Sequence, residues 1–570
     1  MRRARDAAAA LVLAACTATA CSGEDTRRRD AAPAPATEAR PPVDQAPAAT
    51  APCYEAPRAG GGGTVTFSDA TEDLGLVEPL AGMRAHATAV GDVDADGWTD
   101  LFVGTFADRP LEDYRVRGAD GPAPDRLLLG GPTGFRPDPS FPGELGRTSG
   151  AAFADLDGDA DLDLVLSRNH RGEERGRAAS VVLRNDAGGF SMATELDARR
   201  GGRSIGVLDY DGDGALDLVL VEDRVSGGST ALFHNDGALR FSEATTSAGL
   251  PADVHGLGVA TADLNGDSRP DLFVAGSNRL FVNTGEGRFR EGDSEVFAWK
   301  RFGDEDDAAG VAVGDVDRDG RPDLVVGQHY NSTIDDGRRV SVRLYLNQGP
   351  DGSGEPVFRD VTKEAGLIGL PTKAPHVEIV DLDADGWPDI LTSASAADGT
   401  RPAVFRHLGL ADGSPRFEPP AGIGKPQYWV AGATLDADRD GRLDVFIAEF
   451  EPELGSRLLR NDSDTAHWLA VAVGPSGAGG IGATVDVYRG GRLGERADLL
   501  GTSEIAASTG YGSGSAPLAR FGLGGESRVD VVVRFPDGRP PLDLRAVAAD
   551  RLLEVAPEAG CDGGPCTSCT

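Results

Sequence analysis

DVDRDGRPDLVVG, Asp315 to Gly327, packs four aspartates into nine residues and then runs straight into apolar and β-branched side chains. Calcium takes six to eight oxygens at about 2.3–2.6 Å, and a tight loop can supply them from alternate side chains and a backbone carbonyl. Asp315, Asp317, Asp319 and Asp323 have that spacing. Gly320 permits the sharp bend before the fourth carboxylate, and the Arg321 carbonyl is placed to add an oxygen.

The pattern occurs seven times. It reads DVDADGWTD (Asp92, Asp94, Asp96, Asp100), DLDGDADLD (Asp155, Asp157, Asp159, Asp163), DYDGDGALD (Asp209, Asp211, Asp213, Asp217), DLNGDSRPD (Asp263, Asn265, Asp267, Asp271), the copy quoted above, DLDADGWPD (Asp381, Asp383, Asp385, Asp389) and DADRDGRLD (Asp436, Asp438, Asp440, Asp444). Successive first aspartates lie 63, 54, 54, 52, 66 and 55 residues apart. A period of that size means one structural unit repeated as a solenoid, propeller or array. An EF-hand would need a bidentate glutamate at the twelfth position and a helix after it. Here the twelfth positions are Val103, Leu166, Leu220, Val274, Val326, Thr392 and Ile447, each inside a strand-like run. Every loop is therefore expected to join two strands and to hold one Ca2+ ion, up to seven in all.

An apolar segment such as HATAVG or AGVAVG enters each loop and another leaves it. A pair such as VVLRNDAGGF or LFVNTGEGRF follows, its Asn-Asp or Asn-Thr-Gly marking a hairpin turn. Four antiparallel strands per unit, repeated radially, predict an all-β chain folded as a seven-bladed β-propeller. FSDATEDLGL, from Phe67, matches the FSEATTSAGL and FRDVTKEAGL segments that follow a fourth strand, yet no unit precedes it. The seventh unit stops near Asn461 without such a segment. Thr64 to Phe67 is therefore expected to supply the outer strand of the last blade, closing the ring and removing an open sheet edge.

A formal net charge of -35 argues against a nucleic-acid partner, since a polyanion would be repelled. The N-terminus, MRRARDAAAALVLAACTATAC, has the arginine, apolar and small-residue order of an export signal, with an apolar part too short to span a bilayer. Leu13-Ala14-Ala15-Cys16 resembles a bacterial lipoprotein signal, and Ala18-Thr19-Ala20-Cys21 is a second candidate. Lipidation of Cys21 leaves Cys53, Cys561, Cys566 and Cys569 as an even set able to form two disulfides outside the cytoplasm. The expected order is a signal peptide over 1–21, a Pro/Ala/Gly-rich linker over 22–62, the propeller over 63–462, a small β-rich domain over 463–557 and a Cys-rich tail over 558–570. The expected product is an exported monomer of the cell envelope or extracellular space, touching membrane only through an N-terminal lipid.

The loop-plus-strand unit, over residues 64 to 462, resembles the FG-GAP or VCBS repeat of the integrin α-subunit propeller. The segment from His467-Trp468-Leu469 through GGIGATVDVY, STGYGSGS, RFGLGG and VVVRFPDG resembles the ASPIC/UnbV domain. A propeller followed by that domain is similar to the cartilage acidic protein family and its bacterial relatives. The resemblance implies calcium in each blade's first hairpin and a non-enzymatic binding, adhesion or scaffold role outside the cytoplasm. Asn265 and Ser268 in the fourth loop and Ala160 in the second depart from the pattern.

Gly477, Gly479 and Gly482 form a GxGxxG, but a strand pattern follows where a dinucleotide fold needs a helix. There is no Gly-x-Ser-x-Gly, His-Glu-x-x-His or P-loop motif. His86, His255, His376, His170 and His329, with Trp299, Tyr330 and Trp429, are expected around the mouth opposite the acidic loops. That ring suits a protein or glycan ligand, or alternatively a general base in a polysaccharide lyase or hydrolase.

Overall fold

Each acidic loop ends where its fourth aspartate begins a strand: Asp100–Thr105, Asp163–Arg168, Asp217–Val221, Asp271–Gly276, Asp323–Thr333, Asp389–Thr392 and Asp444–Glu449. The computed structural model describes residues 63–556 apart from 170–178, 197–200, 224–227, 299–307, 334–338, 368–374, 395–400 and 428. The chain divides into Met1–Ala48 and Ala49–Thr570, and everything below belongs to the second. The signal, the linker, all six cysteines, the tail, His170 and Trp299 lie outside the described residues.

The fold is all-β, 48% strand and 4% helix. Among the described residues six of the loops join the first two strands of a four-stranded antiparallel sheet, as in Thr148–Ala154, Asp163–Arg168, Val181–Asp186 and Gly189–Glu195, and the first does so in a sheet that two further strands extend to six. These units are consistent with a propeller. The first strands of the first four units, such as TSGAAFA and GLGVATA, are buried at every position, which suits strands with packing on both faces. Between consecutive units lie apolar clusters. One joins Val103 and Leu101 to Phe446 and Ala433, so the first unit packs on the seventh. Another joins Phe153 to Phe102 and so the second to the first. Each fully buried Leu or Phe in them contributes about 1.5–3 kcal/mol relative to exposure.

The outer strand of the seventh unit does come from the N-terminal end, although as Phe67–Asp69 rather than Thr64 to Phe67. Phe67, Ser68 and Asp69 pair antiparallel with Asn461, Arg460 and Leu459. One backbone bond further on, from the Asp462 N–H to the Thr66 carbonyl at 2.9 Å, the pairing frays, and Ser463 Oγ rather than a backbone carbonyl takes the Thr66 N–H at 2.8 Å.

Residues 467–555 build a three-stranded sheet (Leu518–Gly524, His467–Val473, Arg551–Val555) and a four-stranded one (Leu499–Glu504, Thr484–Arg489, Arg528–Arg534, Leu542–Ala548) around a core of their own. Thr484–Arg489 is a strand, which disposes of the GxGxxG as a nucleotide loop. From this body a hairpin, Ser508–Thr509 and Ser513–Gly514, runs in among the first strands of the repeat units. Ser513 and Gly514 pair in parallel with Thr88 and Ala89 of the first unit. Gly510 exchanges backbone hydrogen bonds with Val311 of the fifth unit, and the Gly512 N–H donates to Ser204 Oγ of the third at 3.0 Å. The Gly432 N–H of the seventh donates to Ser513 Oγ at 3.1 Å.

The hairpin overturns the expected open ring of histidines. At its tip Tyr511 is buried, edge-on to His86, which stacks on Phe106 at 4.2 Å between ring centroids. His376 accepts the Tyr511 N–H on Nδ1 at 3.3 Å and pairs Nε2 with Glu378 at 2.8 Å. Trp429 is fully buried against it. His86, His376 and Trp429 are thus packing residues, because the axis they were expected to surround is filled by chain. His255 and His329 remain half-buried.

Candidate metal centres

The first aspartate of every loop accepts the N–H five residues on, at 2.7–3.0 Å. The fourth accepts the N–H of the loop's second residue on Oδ2 at 2.9–3.2 Å. Its Oδ1 accepts an N–H from the end of the third strand at 2.7–2.9 Å. These bonds curl the loop and leave the third residue's carboxylate facing inward. Asp94, Asp157, Asp211, Asp317 and Asp438 each hold a buried Oδ1 with no hydrogen-bond partner, and Asp383 a buried Oδ2. In six of seven loops the same position therefore carries a buried carboxylate oxygen without a hydrogen bond, which is costly unless a cation meets it, as Arg406 does at 3.6 Å in the sixth.

In four loops three of the carboxylates converge. Ligand oxygens of Asp92, Asp94 and Asp96 lie within 4.8 Å of one another, as do those of Asp155, Asp157 and Asp163, of Asp209, Asp211 and Asp213, and of Asp315, Asp317 and Asp323. Burial, reinforced by neighbouring carboxylates, pushes Asp163 up to about 7, Asp217 to about 8 and Asp271 to about 8. Asp100, Asp323, Asp389 and Asp444 are raised for the same reasons. A hard dication fits this donor set, since it replaces both the lost water and the missing counter-charge.

Two loops depart from the pattern. In the fourth, Asn265 donates its amide N–H to Asp267 Oδ2 at 3.0 Å and to the Gly354 carbonyl at 3.0 Å, and Arg269 pairs with Asp267. That loop neutralises itself in part. In the second, Ala160 adopts φ 74° and keeps the bond to Asp155, so the missing glycine costs about 1–2 kcal/mol without changing the loop's course. The fourth residue of each loop is also left-handed, including Ala95, Arg318, Ala384 and Arg439.

Sequence reasoning missed what the asparagines ending the third strands do. Asn185, Asn235, Asn283, Asn347 and Asn461 each donate a side-chain N–H to a loop carbonyl of the preceding unit, those of Val93, Leu156, Tyr210, Leu264 and Leu382, at 2.7–2.9 Å. His407 occupies this position in the sixth unit, its Nδ1 accepting the Gly409 N–H. The recurrence of Asn before Asp, Gln or Thr was the available signal.

The C-terminal sheets sit over the acidic loops of the fourth to seventh units. Gly524 N–H donates to the Ala384 carbonyl at 2.9 Å, Arg520 pairs with Asp436 at 3.2 Å, and Arg496 reaches the Asp319 carbonyl. Glu504 accepts the Asp263 N–H at 2.9 Å, and burial followed by the charges of Asp263 and Asp271 pushes it up to about 8. A cleft of about 1120 Å³ separates the loops of the second to fifth units from residues 478–482 and 534–539.

Residues 209–274, 269–326 and 381–447 match the FG-GAP-like repeat family, and residues 474–561 match ASPIC and UnbV. The chain carries FG-GAP-like repeats and an ASPIC and UnbV domain. The repeat matches include acidic loops three to seven. Cartilage acidic protein 1 of Homo sapiens is 26% identical over 503 residues, covering 82% of this chain and 71% of that protein. Integrin alpha-V of Gallus gallus is 26% identical over 296 residues, 48% of this chain and 26% of its own length. Among solved structures, the exotype rhamnogalacturonan lyase YesX aligns with a TM-score of 0.35 at 14% identity, over 71% of this chain and 75% of that one. No helix among the described residues is long and apolar enough to cross a membrane.

Proposed function

We propose that this chain is a calcium-loaded, seven-bladed propeller that acts as a non-enzymatic binding or scaffold protein outside the cytoplasm. The observation that carries the reading is the buried carboxylate oxygen without a hydrogen bond at the same place in six acidic loops. Two carboxylates about 5 Å apart repel by roughly 3 kcal/mol at an effective dielectric near 20, and a bound dication reverses that sign. Calcium in this reading is held by the four ligand positions of each loop, with the fourth loop weakest because Asn265 replaces a carboxylate and donates to Asp267. Seven sheets, each packed on the next and the first on the seventh, support the blade count. Export, with lipidation at Cys16 or Cys21, belongs to the same reading.

The ligand, a protein or a glycan, is assigned to the face opposite the loops, because the C-terminal sheets cover part of the loop face. Around the far end of the axis Arg84 and Arg109 lie over the Phe450 ring and Arg147 over Phe106, an aromatic surround whose arginines pair with Asp113 and Asp108. The test is binding of calcium-saturated protein to glycan and protein panels, with product release followed in parallel. Binding without turnover that Arg109→Ala and Arg147→Ala weaken, and Asp315→Ala does not, supports the assignment. Turnover of a bound glycan overturns the non-enzymatic reading.

A further inference from the structure

In the third acidic loop an imidazole reaches the carboxylates themselves. His234 comes one residue before Asn235 at the end of its unit's third strand, where the second, sixth and seventh units carry Arg184, Arg406 and Arg460. Arg184 and Arg406 reach the inward carboxylates of their loops as ion pairs, at 3.2 Å from Asp157 and 3.6 Å from Asp383. An imidazole offers something an arginine cannot, a neutral nitrogen lone pair.

His234 Nδ1 lies 3.3 Å from Asp211 Oδ2 and 3.3 Å from Asp217 Oδ1. The nitrogen is buried and makes no hydrogen bond, and Asp211 Oδ1 beside it is likewise buried and unpartnered. Ligand atoms of Asp211, Asp217 and His234 all fall within 4.8 Å of one another. Tyr210 meets the imidazole edge-on at 6.2 Å and is itself stacked on Phe289, which restrains the ring.

Metal–nitrogen and metal–oxygen bonds of about 2.0–2.2 Å place the ligand atoms of a tetrahedral ion about 3.3–3.6 Å apart. Both His234 separations match such an edge. Calcium takes oxygen ligands, whereas imidazole with carboxylate suits zinc and its neighbours. We propose that the third loop, alone among the seven, takes a borderline dication of the zinc class through Asp211, Asp217 and His234, exchanging it for calcium. The proposal rests on the calcium reading for its two shared carboxylates.

The experiment uses the full chain, calcium-saturated, dialysed against Zn2+ and analysed for both metals. Co2+ serves as a second probe, because its visible absorption reports tetrahedral nitrogen and oxygen ligation. The wild type is expected to gain one equivalent of zinc and lose one of calcium. His234→Arg, which installs the residue of the second, sixth and seventh units, is expected to bind no zinc, to show no tetrahedral cobalt band and to keep its calcium. His234→Gln guards against a misfitting arginine. Zinc uptake unchanged in either folded variant, or no zinc uptake by the wild type, overturns the proposal. If no loop binds calcium but a His234-dependent zinc equivalent persists, the calcium reading and the exchange fail and the zinc site stands.

Discussion

Asn185 donates its side-chain N–H to the carbonyl of Val93, ninety-two residues earlier, at 2.8 Å. The same amide reaches the Leu162 carbonyl at 3.2 Å, so one buried side chain straps the second acidic loop to the first. Replacing it with alanine orphans both buried carbonyls, and each unsatisfied group costs about 1–3 kcal/mol. Asn185→Ala should therefore lose about 2–4 kcal/mol in chemical denaturation at saturating calcium. Asp186→Ala next to it, with a largely exposed side chain, should stay within about 0.5 kcal/mol. Equal midpoints for the two variants would reject the strap.

Chelation should lower the melting temperature strongly, and magnesium should restore little of it, because it demands near-octahedral geometry at about 2.0–2.1 Å. The pH dependence in chelator follows from the raised carboxyls. Burial and neighbouring charge hold Asp163 at about 7 and Asp217 and Asp271 at about 8 in the fold. The native state then binds protons that the unfolded chain has released, so this contribution is fully present below about pH 4 and is lost as pH rises toward 8. Metal-free protein should accordingly be more stable at pH 5 than at pH 8. Calcium competes with those protons, so its stabilising increment should grow over the same interval. Melting curves at both pH values, with and without calcium, check the sign.

The acidic loops and their strands were legible because such a loop concentrates its signal in nine residues and then repeats it. Closure by the segment at Phe67 was legible because an orphan motif at one end matched a missing one at the other. The axial hairpin was not legible. STGYGSGS is small and polar, and its partners Thr88, Ser204, Val311, His376 and Gly432 are spread over five units with no common pattern. The histidines misled for the same reason, since position before a first strand says which end of the axis a residue occupies, not whether other chain fills it. The asparagine straps were read as turn formers because a third-strand end is also where a hairpin begins.

Deleting residues 1–62 should leave a folded protein whose melting temperature matches the full chain. Deleting through Asp69 removes the strand on Asn461, Arg460 and Leu459, the Arg457–Asp69 ion pair and the apolar contacts of Val65 and Phe67. An exposed sheet edge should then appear as a lower melting point or as aggregation in light scattering. Identical behaviour of the two truncations would show that the strand does not close the seventh unit.

The axial hairpin gives the sharpest stability prediction, because its glycines are required twice over. Gly510 and Gly512 have φ of 64° and 63°, and a Cβ on Gly510 would lie 2.5 Å from His376 Nδ1. A Cβ on Gly512 would lie 2.6 Å from the Ser149 carbonyl. The left-handed backbone costs a non-glycine residue about 1–2 kcal/mol, and overpacking typically adds about 1–3 kcal/mol. Gly512→Ala should therefore destabilise by about 2–5 kcal/mol, since Ser149 contributes backbone that cannot move aside. Gly525→Ala, with nothing within 4 Å of the added Cβ, is the control and should change little. If the strained hairpin leaves the axis, cleavage between residues 505 and 516 should appear in limited proteolysis under native conditions. His86→Ala should destabilise as well, because its ring is packed between Phe106, Phe450 and Tyr511. A Gly512→Ala protein with wild-type melting and no new cleavage would mean that the hairpin does not occupy the axis in solution.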